Sequence, residues 1–465
     1  MVERVRNNSL EACEHKITPL RSATSERIRV VFLLFYFEAW DSLSEIHREM
    51  LADDRFEVTV ISIPRKLTGE LTYGGEKAVH KFLKKAGVKH LRFDFEDSNV
   101  GFEKLRDLKP DYVFLNYPWQ RNYQPGYRPD RLVSFTRILY TPYFLAPLVD
   151  ELASSSTEAS DRQEHPQIAD HIYRQRVHQL ASLIFCQDTA TKMAFEHTER
   201  GGDYVLATGS AKLDSLRRVY NEAAIKAAQK KTNSAKYKLR VLWAPHHSYS
   251  PSWLNFGTFA KVYEQMLEMA ASMPDIQFIL RPHPFLFGTM ADRDVISKGD
   301  LSTWIRRWKS LPNTKLTTKA SFARQFAKVD LLVSDGISFL AEYPLITSKP
   351  GIFLENDGHW SFNALGVKAQ QLNVTIASVT ELINILKRVL ESEQSLMGIL
   401  NLNEAQFETR LNALRREIDP HPGMVAANVL EIIKKDFGNA GAIENFADLK
   451  EIAWEDMPGR EPRLD

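Results

Sequence analysis

Twice along this chain, short β-rich apolar runs alternate with amphipathic helical stretches, a pattern that few folds accommodate. The first series opens with "IRVVFLLFYF" (Ile28 to Phe37), a continuous apolar run of the kind found in strands buried on both faces. In "DSLSEIHREMLADD" that follows, the spacing puts Leu43, Ile46, Met50 and Leu51 on one helical face, with Asp41 as its expected cap. "FEVTVISI", "HLRFDF", "PDYVFLNY" and "SFTRILYTPYF" read as further strands with helices between them, and "SLIFCQ" and "YVLATG" continue the series. The second series runs through "LRVLWAP", "IQFILRPHP", "DLLVS" and "PGIFLE". Strands separated by helices pair in parallel, because parallel pairing requires a crossover, so each series predicts a doubly wound α/β domain.

At 465 residues, 44% of them hydrophobic, the chain has enough apolar material for two cores. The expected division is a polar N-terminal extension over 1–27, a first α/β domain over 28–222, a second over 239–435 and a polar tail over 436–465. The Ala-rich, basic stretch 223–238 is the expected linker, and the Ser/Thr-rich stretch 151–165 a surface loop. Two such domains in tandem predict a cleft between them.

Sixty Lys and Arg balance 59 Asp and Glu, a net charge of +1, so no chain-wide field favours nucleic acid, and phosphate affinity must be local. Cys13 and Cys186 fit neither a disulfide framework nor a metal-ligand spacing, which suits a reducing cytoplasm. The N-terminus has no apolar signal region, and no stretch approaches the ~20 apolar residues that span a bilayer. The expectation is a cytoplasmic protein, with peripheral association at the inner face of the membrane.

In open α/β sheets ligands bind beyond the carboxyl ends of the strands, where helix N-termini offer N–H groups to anions. Three strand ends of the second series carry suitable groups. In "DLLVSDGISFLAEY" the strand is expected to end at Ser334, Gly336 to admit a ligand, Ser338 to hold phosphate at the helix start and Glu342 to grip a ribose diol one turn later. An ordinary cap and a solvent-facing Glu342 are the bland alternative. "RPHP" follows "IQFIL" with Arg281, a fork of fixed donors, and His283, a switchable one. "WAPHHSYS" presents His246 and His247, of which only one is expected to face the site. A metal on this pair is not expected, since no Cys or carboxylate lies near with ligand spacing. Asp357 lies past the end of "PGIFLE", in a turn that Asn356 and Gly358 would build. In the first series, Tyr140 and Tyr143 flank Pro142, and Trp119 and Arg121 belong to an aromatic-rich stretch. That stretch suits an anionic or carbohydrate acceptor, or equally a Pro-rich loop packed by its own rings.

Taken together, "WAPHHSYS", "RPHP" and "DLLVSDGISFLAEYPLITSKPGIFLEND" resemble the conserved blocks of the CDP-glycerol glycerophosphotransferase family, teichoic-acid and capsule polymerase-type enzymes of GT-B architecture. Asp335, Ser338, Lys349, Pro350 and Asp357 match its pattern, and "ATGSAKLDSL" resembles its domain-junction block with Gly209 and Asp214 retained. The resemblance implies a GT-B-like fold of two Rossmann-like domains and transfer from a CDP-activated polyol to a saccharide or polyol-phosphate acceptor. It implies no cofactor beyond the nucleotide-activated substrate and no metal. The expected roles are catalysis for His246, His247, His283 and Asp335, donor binding for Arg281, Ser334, Gly336, Ser338, Glu342 and Asp357, and acceptor binding for Tyr140, Tyr143, Trp119 and Arg121. The chain departs from the family where its first-domain Trp-His-Gly-Thr block would stand, because "LYTPYF" there has no His. The alternatives are a nucleotide-sugar glycosyltransferase of the same fold and a non-catalytic binding protein on the same scaffold.

Overall fold

In a computed structural model the chain is described over residues 27–66, 72–149, 173, 175–196, 198, 200–229, 236–251, 254–318 and 321–438. The Ser/Thr-rich loop and nearly all of the expected extension and of the tail lie outside these residues. The chain divides into two compact units, one built from 1–145, 164–215 and 418–461, the other chiefly from 216–417.

The first unit holds a seven-stranded sheet in the order β3-β2-β1-β4-β5-β6-β7, every pairing parallel. Its strands are β1 (Ile28–Leu34), β2 (Phe56–Ser62), β3 (Leu91–Arg92), β4 (Tyr112–Leu115), β5 (Arg137–Tyr140), β6 (Ala181–Cys186) and β7 (Val205–Ala207). Helix Asp41–Ala52 buries Leu43, Ile46 and Met50, but Leu51 is exposed, because five residues after Ile46 it has turned about 140° around the axis. Trp40 takes the cap position without a side-chain bond, and Asp41 contributes its charge to the first turn instead.

The boundary between the domains differs from the expected one at both ends. Helix Ala211–Gln229 runs through half of the proposed linker, since an Ala-rich basic stretch has high helix propensity however few large apolar groups it carries. Helix Val425–Gly438, expected with the second domain, belongs to the first. Its Val425, Val429, Ile433 and Phe437 bury against a core shared with Ile28, Val30 and Phe32 of β1. Asp436 fixes it further, accepting from the Tyr112 hydroxyl and pairing with Arg137 at 3.2 Å. Asp214 receives the Gly423 and Val425 amides at the start of this helix, and a Cβ on Gly209, which sits at φ +95°, would meet Val425 at 2.9 Å. The "ATGSAKLDSL" block thus seats this closing helix.

The second unit holds a six-stranded parallel sheet in the order β10-β9-β8-β11-β12-β13. The strands are β8 (Leu239–Ala244), β9 (Ile276–Leu280), β10 (Thr314–Leu316), β11 (Leu331–Ser334), β12 (Ile352–Leu354) and β13 (Val374–Ile376). Trp243 of β8 is buried against Phe259, Trp304 and Trp308 from the helices on one face. This aromatic layer fixes the central strand from which the site loop departs. Among the described residues no helix is long and apolar enough to cross a membrane.

Candidate functional site

The order β9-β8-β11 puts the ends of three strands side by side. Trp243 pairs with Leu280, and Ala244 with Ser334, so the three strands stop at nearly the same level. The chain past each end is then tied to its neighbour. The Arg281 amide donates to the Trp243 carbonyl (2.8 Å), the His283 amide to the Pro245 carbonyl (3.0 Å), and the Ser334 hydroxyl to the Ala244 carbonyl (3.0 Å). His246, His247 and His283 are thereby gathered at one sheet edge. His247 stacks on His283 with centroids 3.9 Å apart, and His246 lies edge-on to His283 at 5.2 Å. Both members of the His-His pair join the cluster, where strand alternation predicted one, because the chain has left β geometry after Ala244.

Asp335 organises the edge. Its Oδ1 accepts the His246 amide at 2.5 Å, and its Oδ2 accepts the amide and hydroxyl of Thr258 at 2.6 and 2.8 Å. Both carboxylate oxygens are thus committed to the protein, and Asp335 joins β11 to both ends of the loop after β8. Burial raises its pKa to about 6 even against these donors. Sequence reading placed Asp335 with the catalytic groups, whereas the geometry gives it a positioning role. Within the same loop the Ser248 hydroxyl lies 2.8 Å from His246 Nδ1 and accepts the Phe256 amide at 3.0 Å. Gly257 has no room for a side chain, since a Cβ would meet the Ser248 carbonyl oxygen at 2.3 Å.

These contacts fix the histidine tautomers. The Ser248 amide donates to Nδ1 of His246 (3.2 Å) and the Phe285 amide to Nδ1 of His283 (3.3 Å), so both Nδ1 atoms carry lone pairs. Burial lowers His246 to about 4, and burial together with the neighbouring His246 holds His283 well below the usual imidazole range. Each ring is therefore neutral with its proton on Nε2. Such rings donate hydrogen bonds without carrying charge. The nitrogens of the trio lie within 4.8 Å of one another, but Nε2–H tautomers and the parallel stack of His247 on His283 suit an anion better than a metal.

Beside the cluster, helix Ile337–Thr347 begins with Gly336 as its cap residue and no side-chain cap, so the first turn offers its amides to an anion. Gly336 has an ordinary φ of −92°, and a Cβ there would lie 3.6 Å from His246 Cδ2, which places the helix start against the imidazole. Ser338 is exposed on the first turn. Glu342 is buried at 1% exposure, which removes the solvent-facing alternative. Arg281 is half-buried at the β9 exit, and Asp357 is exposed in the turn after β12.

That turn braces the β8 loop. Asn255 Nδ2 donates to the Gly358 carbonyl (2.8 Å), Asn356 Nδ2 to the Asn255 carbonyl (2.6 Å), and Lys261 to Asn356 Oδ1 (2.8 Å). His359 stacks on Phe256 at 4.4 Å. The brace holds Leu254 and Asn255 at φ +58° and +53°, a left-handed pair that a leucine adopts only under constraint. Ser248, Asn255 and Thr258 were not singled out from the sequence; the "NFGT" run that carries the Gly257 constraint was the available signal.

In the first unit Tyr140 is buried and its hydroxyl has no hydrogen-bond partner, with burial pushing its pKa well above 10. A base role for Tyr140 does not fit that position. Tyr143 and Trp119 are half-buried in a ring cluster with Tyr36 and Tyr117, and the Arg121 carbonyl accepts the Tyr73 hydroxyl. The aromatic stretch is thus packed largely by its own rings.

By sequence the chain matches no family model and no curated protein. By structure it is similar to the UDP-GlcNAc 2-epimerase of Neisseria meningitidis bound to UDP-GlcNAc, at 14% identity and TM-score 0.54 over 88% of this chain and 100% of that one. It is also similar to Staphylococcus aureus MnaA in complex with UDP, at 12% identity and TM-score 0.54 over 90% and 98%. The wall teichoic acid polymerase TagF aligns at 12% identity and TM-score 0.53 over 94% and 95%. At such identities the shared property is the fold, and the chain has the GT-B-like pair of parallel α/β domains common to these enzymes.

Proposed function

We propose that this protein is a transferase that takes a CDP-activated polyol as donor and builds a cell-surface polymer. The observation that carries the reading is the pairing of two Nε2–H imidazoles, His246 and His283, with the uncapped start of helix Ile337–Thr347. Both are preformed donors suited to a diphosphate. In the proposed reaction an acceptor hydroxyl attacks the donor phosphorus, a phosphodiester forms, the bond to the nucleotide phosphate breaks, and CMP leaves. Arg281, His246, His283, Ser338 and the Ile337 turn stabilise the phosphate charge, Glu342 takes the ribose and Asp357 stands at the donor's edge. Ser334 and Gly336 shape the floor, and Asp335 holds it. The acid–base role falls to His247, because His246 turns Nδ1 to Ser248 and presents a proton on Nε2. Tyr143, Trp119 and Arg121 are the acceptor-side residues of the proposal. No metal or separate cofactor takes part, and the acceptor is met at the inner membrane face.

A nucleotide-sugar reading is favoured by the two neighbours whose structures hold UDP-GlcNAc and UDP. Incubation with CDP-polyols and UDP-sugars, followed by chromatography of the nucleotide released, separates the readings. CMP release supports the proposal, UDP release supports a glycosyltransferase, and UDP-sugar isomerisation without release supports an epimerase. Nucleotide binding with no donor consumed supports a silent scaffold.

A further inference from the structure

We propose that Glu76, His80 and His90 form a binding site for a divalent transition-metal ion, at the β3 edge of the first unit's sheet. The ligand atoms of the three residues all lie within 4.8 Å of one another. Local structure brings them together. Glu76 caps helix Lys77–Ala86 and His80 follows four residues later on the same face. Gly87, in the left-handed conformation at φ +74°, ends the helix and returns the chain past it, so that His90 at the entry to β3 faces His80.

Each ligand is prepared for the ion by a second partner. His90 Nδ1 donates to the Val88 carbonyl at 2.8 Å, which leaves the lone pair on Nε2 and aims it at His80. His80 lies below the usual imidazole value, with desolvation the largest cause and Arg92 adding to it, so its ring is neutral near pH 7. Glu76 is wholly buried, and burial alone would push its carboxyl up. Hydrogen bonds from Arg92 (2.6 and 3.0 Å) and from the Ser62 hydroxyl outweigh that and hold it ionised. Arg92 Nε also reaches Oε1 at 3.2 Å, so each oxygen accepts two hydrogen bonds, and a cation would take the place of this longest one while Nε keeps its bond to Oε2.

The spacing suits coordination. His80 Nδ1 and His90 Nε2 are 2.9 Å apart. Two imidazole nitrogens bound at about 2.1 Å to one octahedral or tetrahedral ion lie about 3.0 to 3.4 Å apart. Binding exchanges the hydrogen bond between the rings for two coordinate bonds. His80 moves its proton from Nδ1 to Nε2, so no net proton need leave. Two nitrogens and one carboxylate oxygen select a borderline cation such as Zn²⁺, Co²⁺ or Ni²⁺ over Mg²⁺ or Ca²⁺, with water in the remaining positions. The ion would clamp the helix to a two-residue edge strand. It is independent of the reaction proposed above.

The test is equilibrium dialysis of the full, tag-free chain against Zn²⁺ after chelator treatment, with bound zinc measured by elemental analysis and Tm by calorimetry. His80→Ala removes a half-exposed ring and His247→Ala reports on the imidazole trio of the second unit. The expected result is zinc bound by the wild type and by His247→Ala, at least tenfold weaker binding by His80→Ala, and a zinc-dependent rise in Tm that His80→Ala abolishes. Equal zinc affinity in wild type and His80→Ala, zinc lost on His247→Ala instead, or no zinc bound by the wild type would each overturn the proposal.

Discussion

The His246 amide donates to Oδ1 of Asp335 across 2.5 Å, joining the exit of β8 to the exit of β11. Because burial raises Asp335 to about 6, this bond changes character just below neutral pH while the imidazole of His246, lowered to about 4, does not titrate there. The His246 amide proton is therefore expected to shift with a midpoint near pH 6 in NMR spectra, with the ring carbons of the same residue unchanged. A shift of the His246 ring carbons with that same midpoint would assign the titration to the ring and overturn the neutral Nε2–H tautomer.

The two shifts also act oppositely on stability. The depressed histidines contribute stability that is present above about 6.5, the unfolded imidazole value, and is lost as pH falls toward 4. The raised Asp335 binds its proton in the folded state first, so its contribution is present at low pH and is lost as pH rises from 3.8 to about 6. Asp335→Asn removes the second trend and misplaces a donor against three donors, at a cost of about 1 to 3 kcal/mol. Denaturant titrations at pH 5 and 7.5 should show a larger loss of stability in this variant at pH 5 than the opposing trends predict for a group left ionised. Equal losses at both pH values would mean that Asp335 stays charged throughout.

Neutral donors make a distinct prediction for ligand affinity. CDP should bind with the same Kd from about pH 7.5 to 8.5, where its own terminal phosphate is already largely ionised, since His246 and His283 remain uncharged across that range. Cationic rings would instead lose affinity by up to about tenfold per pH unit above their pKa.

Gly336 offers a test in which fold and ligand separate. Its φ and ψ are −92° and 143°, open to any residue, and a Cβ would make contacts of 3.4 and 3.6 Å with Ser334 and His246. Gly336→Ala is expected to keep Tm within a few degrees and to weaken CDP about tenfold, or 1.4 kcal/mol, by filling the approach to the helix start. Unchanged CDP affinity would place the nucleotide elsewhere.

Glu342→Gln keeps the side chain's shape and removes its charge. Donor affinity is expected to fall about tenfold, as for loss of a charge-assisted hydrogen bond to ribose. Calorimetry with CDP and with its 2′,3′-dideoxy analogue decides the point. A loss of the same size for both ligands would assign Glu342 to the fold.

The strand-end groups were legible because parallel pairing, with every strand ending at the same edge of the sheet, follows from the alternation of runs, although the strand order does not. Once β8, β9 and β11 were recognised, His246, His283 and Asp335 had to leave at one edge. Their roles were less legible, since the tautomers depend on amides of Ser248 and Phe285, and a backbone donor has no signature in residue type. The closing helix was misplaced for a similar reason: Val425, Val429 and Ile433 show an apolar face, but periodicity does not say which core receives it. Leu51 looked like its apolar neighbours by composition and lies outside the buried face by about one helical step.

The proposed function requires a donor diphosphate seated against His283 and the start of helix Ile337–Thr347. Calorimetric titration of CDP and of cytidine into the wild type and His283→Ala tests it directly. The variant is expected to melt within a few degrees of the wild type, to bind CDP at least tenfold more weakly and to bind cytidine unchanged, because only the diphosphate reaches the imidazole. CDP affinity equal to that of the wild type in a folded His283→Ala protein would contradict it.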